Sequence, residues 1–148
     1  MCPLGIAEAL QNETCRTRYE ALLVERHASI EAPDPDVFVH ATLESLGQIL
    51  GNLVLNAVEH NRRPEPRVRV RAGPTPEGDM MEVVVEDDGP GFPADVVAGF
   101  EDMRSTTRGF GLIIAKRTVE NLGGRMWLDQ AEGGGGAVHF TLRAPPRT

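Results

Sequence analysis

The chain has 148 residues, 41% of them hydrophobic, and a formal net charge of −7, which together fit one soluble globular domain. The acidic balance excludes a nucleic-acid partner held mainly by phosphate contacts, although a small anion can still bind backbone N–H groups and a metal ion. Two cysteines are too few for a disulfide framework and no apolar run could span a membrane, so we expect a cytoplasmic domain without membrane contact.

The N-terminal half predicts one long helix preceded by shorter elements. Residues 6–23 carry apolar side chains at helical spacing and predict a first helix. Residues 24–32 predict a strand, and residues 37–40 predict a second, shorter strand. The long helix is expected over residues 42–60, with Thr42 as its N-cap.

The middle of the chain predicts a hairpin followed by a less regular region. Residues 67–71 alternate strictly between arginine and apolar side chains, which is typical of a half-buried strand. Residues 81–86 predict the next strand, and the turn residues at 73–79 make the two an antiparallel hairpin. A short helix is expected over residues 93–100, followed by a mobile loop over residues 101–109 with little apolar content.

The C-terminal part predicts a helix and a closing hairpin. Apolar residues at helical spacing mark a final helix over residues 112–122, which the glycine pair at 123–124 ends. Residues 126–128 and 138–142 predict two closing strands. The four glycines at 133–136 lie between these strands and predict a hairpin turn, because no helix follows them as a phosphate-binding loop requires.

This order of elements predicts an α+β fold. Strands outnumber crossover helices, so we expect a two-layer α/β sandwich whose mixed sheet has about five strands, with about three helices on one face. The sequence shows no internal repeat and no linker. We therefore expect a single domain over residues 1–148, with its core at about 8–145.

The most informative stretch of the chain is residues 46–61, which combines two chemistries on one helix. Its buried face follows the three-and-four spacing of apolar residues: Leu43, Leu46, Leu50, Leu53 and Ala57. An adjoining stripe at the same spacing is polar: Asn52, Asn56, Glu59 and His60. Amides beside an apolar face lower helix propensity and are expected where a helix borders a polar ligand. Their oxygens suit a hard cation such as Mg²⁺.

Two glycine segments add binding chemistry to this helix. Asp87, Gly89 and Gly91 follow a strand, where the carboxylate can accept a hydrogen bond from an exocyclic amino group and the glycines let the backbone approach a flat ring. Gly109 and Gly111 open the last helix, where free N–H groups form a cradle for phosphate oxygens. Taken alone, the first segment also fits a plain turn and the second a flexible hinge.

In this order the segments resemble the histidine-kinase catalytic domain of two-component signalling, within the Bergerat-fold ATPases. The matching runs are N-L-V-L-N-A-V-E-H at 52–60, D-D-G-P-G-F at 87–92 and G-F-G-L at 109–112. The resemblance covers nearly the whole chain and implies the Bergerat ATP-binding fold, with ATP and Mg²⁺ as ligands.

The resemblance implies a role for each matching residue of the long helix. Asn56 resembles the family's Mg²⁺ ligand, which bridges the metal and the ATP phosphates. Asn52 resembles a second polar contact, to phosphate or to metal-bound water. Glu59 and His60 stand where the family contacts ribose or phosphate. Family members often carry a basic residue in place of Glu59, so its acidic side chain favours a water or metal contact.

The resemblance also implies roles for the glycine segments and the loop between them. Asp87 resembles the carboxylate that reads adenine. The remaining nucleotide-binding candidates in the two segments are Gly89, Gly91, Phe92, Gly109, Phe110, Gly111 and Leu112. Arg104 and Arg108 are the cations of the short ATP lid and candidates for neutralising the γ-phosphate, with a solvated loop arginine as the alternative for each.

The resemblance implies the ATP-binding catalytic domain of a sensor histidine kinase. Such a domain donates the γ-phosphate to a histidine on a separate dimerisation and phosphoacceptor domain, and through it serves a response regulator. None of the four histidines here lies in an acceptor-helix pattern. Related gyrase-type ATPases carry a glutamate base where this chain has Asn52, and an amide cannot activate water in that way. The alternatives are an anti-sigma-factor serine kinase and a degenerate nucleotide-binding module without transfer activity.

Overall fold

The structure is a computed structural model that describes residues 2–103, 110–131 and 133–146. Its strands are β1 (Cys2–Gly5), β2 (Ser29–Glu31), β3 (Phe38–Ala41), β4 (Arg67–Pro74), β5 (Met80–Asp87), β6 (Met126–Gln130) and β7 (Gly136–Arg143). Its helices are α1 (Ile6–Gln11), α2 (Glu13–Arg16), α3 (Glu20–Arg26), α4 (Leu43–Glu59), α5 (Ala94–Gly99) and α6 (Phe110–Asn121), with a 3₁₀ turn at Phe100–Asp102.

The main sheet has five strands in the order β2-β4-β5-β7-β6. The β2–β4 pair is parallel and the other pairs are antiparallel, so the sheet is mixed. Along β4 the valines are buried and the arginines are exposed, as the alternating sequence predicts. The predicted α+β class, the mixed five-stranded sheet and the β4–β5 hairpin are therefore confirmed.

Helix α4 is the centre of the helical layer. It contacts β4 and β5 of the sheet as well as α1, α2, α3 and α6. The predicted N-cap is confirmed, because the Ser45 N–H donates to Thr42 Oγ1 over 3.1 Å. Leu46, Leu50 and Leu53 are at most 1% exposed, so the predicted apolar stripe is the core face of this helix. None of the helices in the described ranges has the length and apolar content that crossing a bilayer requires.

The predicted first helix over residues 6–23 is wrong in its continuity, because the segment forms three short helices. Asn12 has φ −74° and ψ 142°, which is extended backbone, and its side chain accepts a hydrogen bond from the Thr14 N–H. This asparagine thus ends α1 and caps α2, an alternative to helix that asparagine offers more readily than other residues. A second break falls at Tyr19, where φ is −133°.

The predicted strand over residues 24–32 is only partly correct, because its first three residues belong to helix α3. Helix α3 continues to Arg26, and His27 ends it in the left-handed conformation with φ 53°. Only Ser29–Glu31 forms a strand. The sequence also gave no signal for β1, which pairs antiparallel with β3 in a separate two-stranded sheet. Its four residues include Pro3 and Gly5, which both have low strand propensity.

The second half of the chain follows the predicted order with small shifts in bounds. Helix α6 ends at Asn121, and Gly123 has φ +87°, which only glycine adopts without strain. The predicted loop over residues 101–109 begins later than expected, because Glu101 and Asp102 belong to the 3₁₀ turn. Residues 104–109 lie outside the described ranges, so the predicted mobility of this loop stays a prediction.

The C-terminal end of α4 is held by a side chain from α3. The Arg26 guanidinium donates to the carbonyl oxygens of Val58 (3.1 Å) and Arg63 (3.3 Å) and also to that of Asn61. A cation at this end supplies donors to carbonyl oxygens of the last turn and of the following loop, and it opposes the negative end of the helix dipole. Arg26 therefore fixes the point where α4 passes into the following loop.

We expect Arg26→Ala to lower the free energy of unfolding by about 2 kcal/mol, the scale of hydrogen bonds to a charged group. Urea denaturation followed by far-ultraviolet circular dichroism measures this change. The matched control is Arg16→Ala, which removes only an exposed ion pair with Glu20 and should cost about 0.5 kcal/mol or less. Equal losses for the two variants would contradict the role assigned to Arg26.

Candidate functional site

A small cavity lies where α4, the segment after β5 and the start of β7 meet. It has a volume of about 30 Å³, roughly the space of one water molecule. Its lining residues are Asn56, Ala57, His60, Asp87, Pro90, Gly91, Phe92 and Gly136. Fold and packing thus bring together one end of the polar stripe of α4 and the D-x-G-x-G segment, which are 27 or more residues apart in the chain.

Asp87 is the carboxylate of this cavity. Its Oδ1 atom accepts hydrogen bonds from the N–H groups of Gly89 (2.8 Å) and Gly136 (3.3 Å). Among the described residues nothing donates to its Oδ2 atom, which lies 3.3 Å from the position that a Cβ on Gly136 would take. Burial raises the pKa of Asp87 above its ordinary value, although the two N–H groups and His60 work against that rise. One carboxylate oxygen is therefore held in place and the other is available to a ligand.

Glycines form the walls of the cavity because side chains would fill it. Gly91 has φ +82°, and a Cβ there would lie 2.9 Å from the Gly134 carbonyl oxygen. A Cβ on Gly136 would lie 2.9 Å from Cε2 of Phe92, another residue of the lining. Both positions therefore keep space open beside Asp87.

The four-glycine turn at 133–136 is part of the site as well as a turn. Gly133 and Gly134 have positive φ, as a tight turn requires. Gly135 has a different function, because a Cβ there would collide with the Asp87 carbonyl oxygen. The sequence predicted the turn and missed the close packing of this segment on Asp87. Four successive glycines exceed what a turn needs, and that excess was the available signal.

The amides of α4 run from the cavity toward the start of α6. Asn56 is half-buried and lines the cavity, and Asn52 lies one turn nearer the N-terminus of the helix. A Cβ on Gly111 would lie 3.6 Å from the Cβ of Asn52, so the second glycine segment reaches this end of the row. The structure thus places Gly111 beside Asn52, one helical turn from Asn56.

The other predicted residues take varied positions. His60 caps the C-terminal end of α4 and lines the cavity, whereas Glu59 is exposed and does not line it. Gly89 acts through its N–H to Asp87. Phe92 lines the cavity, and its carbonyl accepts a hydrogen bond from the Gln130 side chain. Leu112 is 8% exposed and packs in the hydrophobic core, outside the lining of the cavity.

The rest of the predicted set lies outside the described residues. This holds for Arg104, Arg108 and Gly109, and for the side chain of Phe110, whose backbone begins α6. In the described part of the chain, no three histidine, cysteine, aspartate or glutamate side chains are grouped to hold a metal ion. The amide oxygens of Asn52 and Asn56 are of the kind that a hard cation prefers.

A hydrogen bond between Asn61 and Asp88 lies next to the site. Asn61 is 1% exposed, and its Nδ2 donates to Asp88 Oδ1 over 2.6 Å. The same oxygen accepts the Arg67 N–H over 3.0 Å. Burial works to raise the pKa of Asp88, but these hydrogen bonds and the Arg63 charge outweigh it and hold the pKa below its ordinary value. No pattern in the sequence predicts this contact, which ties the loop after α4 to the strand end that carries Asp87.

The raised pKa of Asp87 predicts an acid-sensitive site. A ligand that donates a hydrogen bond to Oδ2 needs the carboxylate, so its affinity should fall as the pH drops through the folded-state pKa, which lies above 3.8. The effect of pH on protein stability has the opposite sign. A raised folded-state pKa means that the folded protein binds the proton more tightly than the unfolded chain does. That contribution is complete below pH 3.8 and is lost as the pH rises through the folded-state pKa.

We expect the fall in ligand affinity at low pH to be absent in Asp87→Asn, because the asparagine side chain has no proton to exchange in this range. The measurement is the dissociation constant of an adenine nucleotide between pH 7.5 and about pH 4.5 for both proteins, corrected for protonation of the nucleotide itself. An identical profile for the two proteins would show that another group causes the effect.

Comparison with known sequences identifies relatives of this chain. The model of a family described as histidine kinase-, DNA gyrase B-, and HSP90-like ATPase matches residues 41–146. Sensor protein FixL of Bradyrhizobium diazoefficiens is 38% identical over 101 residues, which cover 66% of this chain and 20% of FixL. The chain spans a fifth or less of the length of the first curated relatives that it matches.

Comparison with solved structures agrees with the sequence match. The mycobacterial sensor histidine kinase MprB has a TM-score of 0.73 and 26% identity, over 98% of this chain and 99% of that chain. Full-length ShkA, solved in complex with AMPPNP, has a TM-score of 0.77 and 24% identity, over 99% of this chain and 32% of that chain. The fold is that of histidine kinase catalytic domains, and the family match supports nucleotide binding. The chain belongs to the family of histidine kinase-, DNA gyrase B- and HSP90-like ATPases.

Proposed function

We propose that this chain is the ATP-binding catalytic domain of a two-component sensor histidine kinase. In this proposal it binds Mg²⁺-ATP and presents the γ-phosphoryl group to a histidine on a separate dimerisation and phosphoacceptor domain. The observation that carries the proposal is the free Oδ2 atom of Asp87 in a glycine-walled cavity at one end of an amide row. The residues 1–148 act as one domain in the cytoplasm, and a response regulator receives the phosphoryl group from the acceptor histidine.

The base is read by Asp87. Its Oδ2 atom accepts a hydrogen bond from the exocyclic amino group of adenine, whereas guanine carries a carbonyl oxygen at the corresponding position and would be repelled. The present cavity is too small for a purine. The 89–93 segment, whose residues are half-buried or exposed, therefore moves outward when the base enters. Gly91 and Gly136 allow the ring to approach the backbone.

The phosphates and the metal ion lie along α4. Asn56 supplies an amide oxygen to Mg²⁺ where the row meets the cavity, and Asn52 contacts phosphate or a metal-bound water one turn away. Gly109 and Gly111 offer N–H groups to phosphate oxygens at the start of α6, with Arg104 and Arg108 as further cations. Because the described residues hold no acidic cluster, we expect Mg²⁺ to bind with the nucleotide rather than before it.

The chain's own residues contribute by positioning and charge neutralisation. Mg²⁺-ATP supplies the phosphoryl group. In the transfer, the bond from the γ-phosphorus to its bridging oxygen breaks, a bond to an imidazole nitrogen of the acceptor histidine forms, and ADP leaves with the bonding electrons. Asn52 cannot accept a proton from water at neutral pH, so the site favours transfer over hydrolysis.

A titration tests the binding half of the proposal. A fluorescent ATP analogue is added to the protein with and without Mg²⁺, and unlabelled ATP and GTP compete for it. We expect saturable, Mg²⁺-dependent binding that ATP displaces better than GTP. Absence of binding would refute the proposal.

A labelling experiment tests the transfer half. Radiolabelled ATP is incubated with the domain and with the phosphoacceptor domain of its parent protein. Acid-labile label on the acceptor domain indicates phosphohistidine and supports the proposal. Acid-stable label indicates a serine kinase, and binding without any label indicates a module that has lost transfer.

A further inference from the structure

Arg18 brings a cation to the amide row from a different part of the chain. It lies between α2 and α3, 34 residues before Asn52, and is exposed. Its Nη1 atom donates to Asn52 Oδ1 over 3.4 Å. This distance is long for such a hydrogen bond, so the guanidinium can exchange it for a stronger partner at small cost. No spacing pattern in the sequence predicts a role for Arg18, because the contact depends on how the N-terminal helices pack on α4.

Gly51 makes room for this arginine. The Arg18 side chain crosses α4 at Gly51, where a Cβ would lie 3.2 Å from both Cβ and Cγ of Arg18 and would collide with its Cδ. Gly51 is buried in the middle of α4, and glycine inside a helix lowers helix stability relative to alanine. Its presence is explained by the passage of the Arg18 side chain toward Asn52.

The charged side chains at the two ends of the amide row differ in sign. Asn52 accepts a hydrogen bond from Arg18 and lies against Gly111, at the start of α6. It is also one helical turn farther from the Asp87 cavity than Asn56. A nucleotide whose base lies at Asp87 would place its terminal phosphates toward Asn52. At the opposite end of the row, Glu59 is acidic and exposed.

We propose that Arg18 binds the terminal phosphates of the nucleotide. This inference rests on the proposed function and adds a residue to it. A guanidinium offers paired N–H donors that match two phosphate oxygens, and its charge is permanent. When it turns to the phosphate it releases Asn52 Oδ1, which is then free for the metal-bound water. Before the nucleotide binds, the hydrogen bond to Asn52 holds the Arg18 side chain beside the amide row.

The test compares nucleotides that differ only in phosphate number. The affinities of ATP, ADP and AMP in Mg²⁺ are measured by competition with a fluorescent ATP analogue, for the unmodified protein, Arg18→Ala, Arg18→Lys and Arg16→Ala. We expect Arg18→Ala to weaken ATP about tenfold, the lower end of what a hydrogen bond to a charged group provides, and to leave AMP unchanged. Arg18→Lys should recover part of the loss, and Arg16→Ala, whose arginine pairs with Glu20 on the same segment, should change nothing.

Gly51→Ala supplies a second, independent variant. Its Cβ displaces the Arg18 side chain, so we expect the same selective loss of ATP affinity. Unchanged ATP affinity in Arg18→Ala, or equal losses for ATP, ADP and AMP, would overturn the role of Arg18. Failure of the unmodified protein to bind any of the three nucleotides would instead overturn the proposed function, and this inference with it.

Discussion

Replacement of Asp87 by asparagine is expected to reduce the preference for ATP over GTP by about 1–3 kcal/mol, the scale of a buried polar group left without its partner. The asparagine oxygen can still accept the Gly89 and Gly136 N–H groups. Its amide nitrogen then takes the place of Oδ2 and opposes the adenine amino group, donor against donor. Guanine presents an acceptor at that position, so the variant should not weaken GTP binding in the same way.

The matched control for this prediction is the neighbouring carboxylate. Asp88→Asn removes charge from an oxygen that accepts from Asn61 and Arg67, so it should lower stability and leave the ratio of ATP to GTP affinity unchanged. Competition titrations with both nucleotides measure the ratio, and urea denaturation measures stability. Equal binding of ATP and GTP by the unmodified protein would already contradict the role of Asp87.

Asn56→Ala should remove the Mg²⁺-dependent part of ATP affinity and leave the fold intact. Alanine is a better helix former than asparagine, and Asn56 is only half-buried, so α4 should persist. The loss should be about a hundredfold or more, because even residues that only support a metal ligand are worth about 10–100-fold in metal affinity. Calorimetric titration with ATP in Mg²⁺ and in EDTA measures it.

The EDTA arm identifies the cause of the loss. If Asn56 acts through the metal ion, the variant and the unmodified protein should bind ATP equally weakly in EDTA. Asn121→Ala, which removes an exposed amide from the end of α6, should bind like the unmodified protein in both conditions. Unchanged affinity of Asn56→Ala in Mg²⁺ would show that the metal assignment is wrong.

The parts of the site that could be predicted from the sequence depend on spacing within one element. Asn52 and Asn56 are four residues apart on a helix whose apolar face is unambiguous, so their shared side follows from helical geometry. Asp87 comes at the end of a strand and directly before glycines, which places a carboxylate at a turn. The order of the elements predicted the mixed sheet, and the residue type at the start of α4 predicted the cap at Thr42.

What could not be predicted depends on packing between distant elements or on a single local hydrogen bond. The Arg18 side chain packs over Gly51, and Gly135 packs against the Asp87 carbonyl oxygen. No periodic pattern in the sequence predicts either contact. Asn12 breaks the first helix through a side-chain bond to Thr14 that competes with the helix. The β1 strand has no periodicity of its own and exists because β3 pairs with it.

The position of β7 has a consequence for synthesis of the protein. This strand is the last in the described chain, yet it inserts between β5 and β6 and supplies the Gly136 N–H that holds Asp87. A ribosome adding about 5–20 residues per second therefore completes the other strands of the sheet before Asp87 acquires its second donor. Under the proposed function, ATP binding depends on this docked strand, so we expect ATP to stabilise only chains in which β7 has docked.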